Sequence, residues 1–229
     1  RMELTNINTL MDASWFNYNG VSVFSSMAYE KSANLQHNLG LNSNYINSYI
    51  YAPQTPVYNA MMSLKYLVNN DDSIMNDRLF EKVAENDRFV AYRNNYCLPI
   101  AYSVSEEVEK WITTGSNPFE IQNDYWTRAT DAGDVFKRIS ATTYSTENIR
   151  SDDELLTENF SYNKEITGQE GSIVIKYEIP ESQNVYLYTD CKSADTINVS
   201  GTNGFSKSQD PSDPYVLDCG YLEKGEILT

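Results

Sequence analysis

The residues best suited to chemistry lie close to the amino-terminal end: Asp12, Trp15, Tyr18 and Asn19. Within eight positions they supply a carboxylate, two aromatic faces and an amide. Sugars are bound by this mixture, their C–H faces stacking on rings while their hydroxyls take paired polar contacts. The cluster therefore predicts a glycan-binding groove with no catalytic residue in it. A competing reading puts Trp15 and Tyr18 in the core and makes Asn19-Gly20 a turn.

Other chemistry is scarce. His37 is the sole histidine, so a Ser-His or Cys-His nucleophile pair would have to use it. It lies in Asn34-Leu-Gln-His-Asn-Leu39, late in a predicted helix, where a surface position and a cationic ring suit the helix terminus. The cysteines Cys97, Cys191 and Cys219 contain no CxxC pair, and with one histidine no zinc site of usual composition can form within the chain. Cys97 reads as a core residue of an apolar strand. Cys191 and Cys219 fall in strand-like segments and suit either a disulfide or two buried thiols. Asp210-Pro-Ser-Asp213 with Asp218 lacks the spacing of a calcium loop and reads as a solvated turn. Asp71-Asp72 and Asp152-Asp-Glu154 read as exposed charge runs. A glycoside hydrolase would need two carboxylates held at a definite separation, and 32 acidic residues select no such pair. No metal and no cofactor is expected.

Acidic residues outnumber basic ones 32 to 17, a formal charge of −15. That surface repels phosphate backbones, and no Lys/Arg-rich run offsets it, which excludes nucleic acid as a partner. It also disfavours an anionic membrane surface unless a separate anchor holds the protein there. The 229 residues suit two domains, and 18 tyrosines provide large side chains for a core. No run approaches the ~20 apolar residues of a membrane span. The start, Arg1-Met-Glu-Leu4, has no signal-peptide pattern, and Glu226-Ile-Leu-Thr229 reads as the opening of a strand. Both ends read as cut from a longer protein.

The elements that must position the cluster follow from local signals. Gly20 to Phe24 reads as a strand, and Ser25 or Ser26 as the cap of a helix running to Leu39 with Gly40 as its stop. Residues 41–54 read as an irregular loop. Thr55-Pro56 starts a helix whose apolar stripe is Val57, Ala60, Met61 and Leu64, followed by a strand over Lys65 to Val68 that Asn69 to Asp72 ends. Phe89–Tyr92 and Tyr96–Val104 read as a hairpin turning at Arg93-Asn94-Asn95, with Pro99 at an edge or bulge. Ser105 to Ile112 reads as a short helix, and Asn117-Pro118 opens another whose apolar residues are Phe119, Tyr125, Trp126 and Ala129. The charged seam at 145–158 marks a boundary. Beyond it, Ser172–Ile179, Val185–Tyr188, Asp195–Val199 and Tyr215–Cys219 read as short strands punctuated by Gly and Pro. The fold class is α+β: a mixed domain over 1–150, then an antiparallel, jelly-roll-like β-sandwich over 151–229.

Several of these segments, in this order and spacing, resemble the YfhO family of large bacterial multi-pass membrane proteins. They are Phe16-Asn-Tyr-Asn-Gly20 with Val23-Phe-Ser-Ser26, Leu39-Gly40, Pro56-Val-Tyr-Asn-Ala60 leading to Leu64-Lys-Tyr-Leu-Val68, Asn94 to Tyr102, Asn117-Pro-Phe119 and Leu217 to Gly225. The resemblance implies the extracytoplasmic domain of a membrane-bound, GT-C-like glycosyltransferase. Such proteins are linked to adding sugars to cell-envelope polymers such as teichoic acids, outside the cytoplasm. It implies membrane helices outside this chain, and the family's catalytic carboxylates would lie beside them, so none is carried over. The expected role is non-catalytic: positioning a cell-envelope glycopolymer or a partner at the outer face of the bacterial membrane. The alternative is a secreted carbohydrate-binding or adhesion module with no enzyme attached.

Overall fold

A computed structural model describes residues 1–70, 76–151, 153–157 and 159–229. The charge runs at Asp71-Asp72 and at Asp152 fall outside the described residues; Asp153 and Glu154 are exposed. The chain folds as two compact units. The larger comprises 1–136, 186–196 and 209–218, and the smaller 137–185, 197–208 and 219–229. Short helices combine with many, mostly antiparallel strands in several small sheets, an α+β architecture without a closed barrel among the described residues.

In chain order the larger unit begins with β1 (Met2–Leu4), the single-turn helix α1 (Asp12–Trp15), β2 (Val23–Phe24) and α2 (Glu30–Asn38). Then come β3 (Asn42–Ser43), β4 (Ser48–Ile50), α3 (Pro56–Met61), β5 (Tyr66–Asn69), β6 (Phe80–Glu85) and β7 (Val90–Asn94). A 3₁₀ turn over Glu106–Lys110 precedes α4 (Pro118–Thr130). One sheet has the order β1-β5-β7-β6, with β1 parallel to β5 and the other pairs antiparallel. A second has the order β2-β4-β3.

Local capping explains the helix starts. Thr55 Oγ1 accepts from Tyr58 N at 3.1 Å, and Asn117 Oδ1 accepts from Phe119 N and Glu120 N, both at 3.0 Å, each with Pro as the next residue. Gly40, at φ +98°, closes α2: its own N–H reaches His37 O at 2.8 Å, and Leu41 N reaches Gln36 O at 3.0 Å. A Cβ at Gly40 would also overlap Val216 Cγ2, so both the conformation and the space demand glycine.

Several expectations are corrected. Helix α2 starts at Glu30, because Ser25 Oγ takes Met27 N in a separate turn and the N-cap is Tyr29. Residues 41–54 hold β3 and β4, joined by Asn44, whose Oδ1 accepts from Ile46, Asn47 and Ser48 N–H. The hairpin is β6–β7 and turns at Asn86–Phe89, where Asn86 Oδ1 accepts from Arg88 N and Phe89 N, both at 2.9 Å. Residues 96–104 form no strand, and Cys97 sits half-buried in that loop. Helix α4 buries Ile121, Gln122 and Tyr125, whereas Phe119 and Trp126 are only half-buried. His37 is buried, with its Nε2 2.9 Å from Tyr45 Oη, and burial lowers its pKa, so neither the surface position nor the cationic ring holds. No disulfide joins cysteines among the described residues; Cys219 is buried in a strand and Cys191 is half-buried outside one.

The core of the larger unit joins Val21, Leu39, Leu41, Tyr51, Tyr58, Leu64, Leu67, Phe80 and Ile121. Polar side chains are threaded through it. Gln122 Nε2 donates to Leu39 O at 2.9 Å while Gln122 Oε1 accepts from Thr55 Oγ1 at 2.5 Å. Tyr58 Oη donates to Gln36 Oε1 at 2.6 Å, and Tyr51 Oη to Asn59 Oδ1 at 3.1 Å. Each bond satisfies a group that would otherwise be stranded away from water.

The rest of the chain is β8 (Thr143–Glu147), β9 (Ile149–Arg150), β10 (Asn163–Lys164), β11 (Ser172–Glu178), β12 (Gln183–Leu187), β13 (Ile197–Ser200), β14 (Ser206–Gln209), β15 (Leu217–Leu222) and β16 (Ile227–Leu228). Strand β11 is central to a three-stranded sheet, β16-β11-β8, and the others pair in twos: β10-β9, β12-β15 and β13-β14. Its residues alternate between exposed and half-buried, the period of two that a one-sided sheet requires.

Candidate functional site

The site is assembled from β1, α1 and the segment that follows α1. Asp12 is 2 % exposed, and its carboxylate is fully engaged locally. Oδ2 accepts from Asn8 N at 2.6 Å; Oδ1 accepts from Thr9 N and Thr9 Oγ1, both at 2.9 Å. These bonds fold residues 8–12 into the turn that launches α1. Asp12 therefore shapes the site from beneath. Trp15 ends the helix with 76 % of its surface in solvent, which removes it from the core.

Asn17, at φ +53°, then reverses the chain. Tyr18 N–H reaches back to Ala13 O at 3.0 Å, and Asn19 O accepts from Met2 N at 3.0 Å. Together they bring Tyr18, Asn19 and Gly20 alongside β1. Tyr18 and Asn19 line an open depression of about 520 Å³, together with Arg1, Ser14, Ser22 and Tyr49. That volume lies within the range of small-ligand pockets. Asp12 and Trp15 do not line it.

Beneath the depression is Glu3, 0 % exposed. Its Oε1 accepts from Val21 N at 2.8 Å and Ser22 N at 3.2 Å, and its Oε2 from Ser22 Oγ at 3.0 Å. Burial pushes this carboxyl above the usual carboxylate range, and those donors restrain the rise. Gly20 is what admits it: a Cβ there would overlap Glu3 Oε1 and lie 2.8 Å from Tyr18 Cε2. Ser22 Oγ also accepts from Tyr51 N at 2.9 Å, so this hydroxyl is committed to the scaffold.

The Tyr18 hydroxyl is buried, and no group among the described residues bonds it. Burial, reinforced by the negative charges of Glu3 and Asp12, holds its pKa well above that of a free phenol. It stays a neutral donor at any physiological pH. Burial also raises Tyr49, and the Arg1 charge opposes that rise. The depression thus offers the rings of Tyr18 and Tyr49 beside Asn19 and Arg1, while the Glu3 and Asp12 carboxylates are both buried and bonded within the scaffold. Such a surface can bind and orient a hydroxylated ligand; it holds no nucleophile paired with a base.

Of the four residues the sequence singled out, Tyr18 and Asn19 line the depression, and they share one short segment. Sequence reasoning missed Glu3, Arg1 and Tyr49, which come from β1 and β4. The one local signal was Gly20, which the turn reading had already absorbed. Elsewhere, Asp210 Oδ1 accepts from Ser212 N at 2.9 Å and Ser212 Oγ at 2.8 Å, as a solvated turn should. No cluster of metal-ligating side chains occurs among the described residues, and no helix among them is long and apolar enough to cross a membrane.

No curated protein and no solved structure matches the chain. The family model described as "Bacterial membrane protein YfhO" matches it over residues 1–229. Its full span agrees with the resemblance carried by Phe16 to Gly20, Pro56 to Val68 and Leu217 to Gly225, and the chain belongs to the YfhO family of bacterial membrane proteins.

Proposed function

We propose that this chain is a non-catalytic, extracytoplasmic part of a membrane-borne glycosyltransferase. Its role is to position a cell-envelope glycopolymer of the teichoic-acid type, and the Tyr18–Asn19 depression is the contact. The observation that carries this reading is the open depression of about 520 Å³ that Tyr18, Asn19, Tyr49 and Arg1 line together. The flanking Tyr49 ring and Asn19 amide suit the ring face and the remaining hydroxyls of a sugar. Arg1 supplies the positive charge that a phosphate-linked polymer needs locally, on a chain whose net charge is −15. Family membership favours this over a secreted module with no membrane partner.

The test is co-sedimentation with purified wall polymer, alongside a glycan array. The chain should bind, and Asn19→Ala should weaken binding several-fold, while Glu107→Gln, far along the chain and exposed, leaves it unchanged. Hydrolysis or glycosyl transfer by the isolated chain would overturn the non-catalytic role.

A further inference from the structure

The segment from Thr5 to Tyr29 carries a single charged residue, in a chain of which 21 % is charged. That residue, Asp12, is buried and bonded to three donors. The same segment exposes Leu10 (39 %), Met11 (40 %), Trp15 (76 %) and Phe16 (64 %). Trp15 N bonds Met11 O at 3.0 Å, so Met11 and Trp15 are one helical turn apart and share a face of α1. Phe16 and Leu10 flank that turn directly.

We infer that Leu10, Met11, Trp15 and Phe16 form an interfacial patch that rests in the headgroup region of a lipid bilayer. Three features select this occupant. Tryptophan is the side chain that favours the boundary between headgroups and acyl chains. The patch is the charge-poor part of a strongly acidic chain, and therefore the part an anionic surface repels least. The family to which the chain belongs is one of membrane proteins, so a bilayer is always at hand. A second copy of the chain fits poorly, since four side chains fall far short of the ~800 Å² per partner that a stable dimer buries.

The experiment mixes the chain with vesicles of phosphatidylcholine, alone or blended with phosphatidylglycerol. Flotation measures partition, and quenching by brominated lipid reports the depth of tryptophan. The wild-type chain should float and be quenched. Trp15→Ser with Phe16→Ser should lower partition roughly tenfold or more, with an unchanged circular dichroism spectrum because both side chains are exposed. Trp15→Phe should keep most of the partition and lose the quenching, which separates loss of contact from loss of fold. Phosphatidylglycerol should weaken binding at low salt, and added salt should restore it. Absence of partition, or equal partition of the double variant, would overturn the inference. So would a double variant that loses polymer binding or dimerisation and keeps its affinity for vesicles. Because Asn19→Ala should leave partition intact, failure here and failure of the polymer-binding reading are distinguishable.

Discussion

The two units stabilise themselves by different means. Every buried polar or charged side chain among the described residues belongs to the larger unit: Glu3, Asp12, Gln36, Gln54, Thr55, Asn59 and Gln122 are examples. The smaller unit buries only apolar side chains, such as Ile149, Ile179, Val199, Leu222 and Leu228, and does its polar work at the surface. There Asn148 Nδ2 donates to Ile166 O at 3.1 Å and Glu170 O at 3.0 Å, and Asn203 Nδ2 donates to Cys219 O at 2.9 Å. Short elements joined by long irregular stretches leave many backbone groups without a ladder partner. In the larger unit, buried amides supply such partners: Gln54 Nε2 donates to Gly40 O, Asn94 Nδ2 to Leu64 O and Gln122 Nε2 to Leu39 O. A sheet built round β11 supplies its own and needs side chains only to tie down loops.

The largest expected effect tests that contrast directly. Gln122→Met keeps much of the side chain's shape but strands Leu39 O and Thr55 Oγ1, and should cost about 2–4 kcal/mol in urea unfolding. Leu228→Met, a shape-tolerant change in the smaller unit, should cost under about 1.5 kcal/mol. Equal costs would break the comparison.

Alkaline pH gives the next effect. Tyr51 and Tyr58 are nearly inaccessible, and burial raises both phenols above their ordinary pKa near 10. A group whose pKa is raised by folding contributes its stability below the unfolded value and loses it as pH climbs. Stability should hold up to about pH 10 and then fall by about 1.4 kcal/mol per pH unit for each buried phenol. Hydrogen exchange should show protection failing first in the larger unit.

Smaller still are the single-residue ties. Thr55→Ala removes the cap of α3 together with a partner of Gln122 and should cost about 2 kcal/mol; Asn148→Ala, releasing an exposed loop, should cost about 1 kcal/mol. The smallest effect belongs to Glu81→Gln, which breaks an ion pair with Arg93 whose side chains are 48 % and 54 % exposed. No measurable change in stability is expected at physiological salt.

How legible these features were in the sequence follows the same divide. Thr55-Pro56, Asn117-Pro118 and Leu39-Gly40 could be read because a cap is decided by three or four consecutive residues. Strand β6 could not: only Phe80 is buried, and Glu81 to Glu85 are exposed, so no apolar alternation announces it. The wrong hairpin register followed, since Asn94 and Asn95 offered a plausible turn next to the true one at Asn86. His37 was misplaced because its burial depends on Tyr45, which reaches it from a loop at φ +64°. Of the site, Tyr18 and Asn19 stood in one segment. Glu3 reaches Val21 and Ser22 only after β1 has docked, and no local spacing encodes that meeting.

The central claim is that the Tyr18–Asn19 depression holds an envelope glycopolymer, and titration calorimetry of the chain against a short, purified teichoic-acid oligomer tests it most directly. Saturable binding that Asn19→Ala weakens several-fold, in a protein with an unchanged unfolding midpoint, is the predicted result. Binding that is absent, or that Asn19→Ala leaves untouched, would contradict the claim.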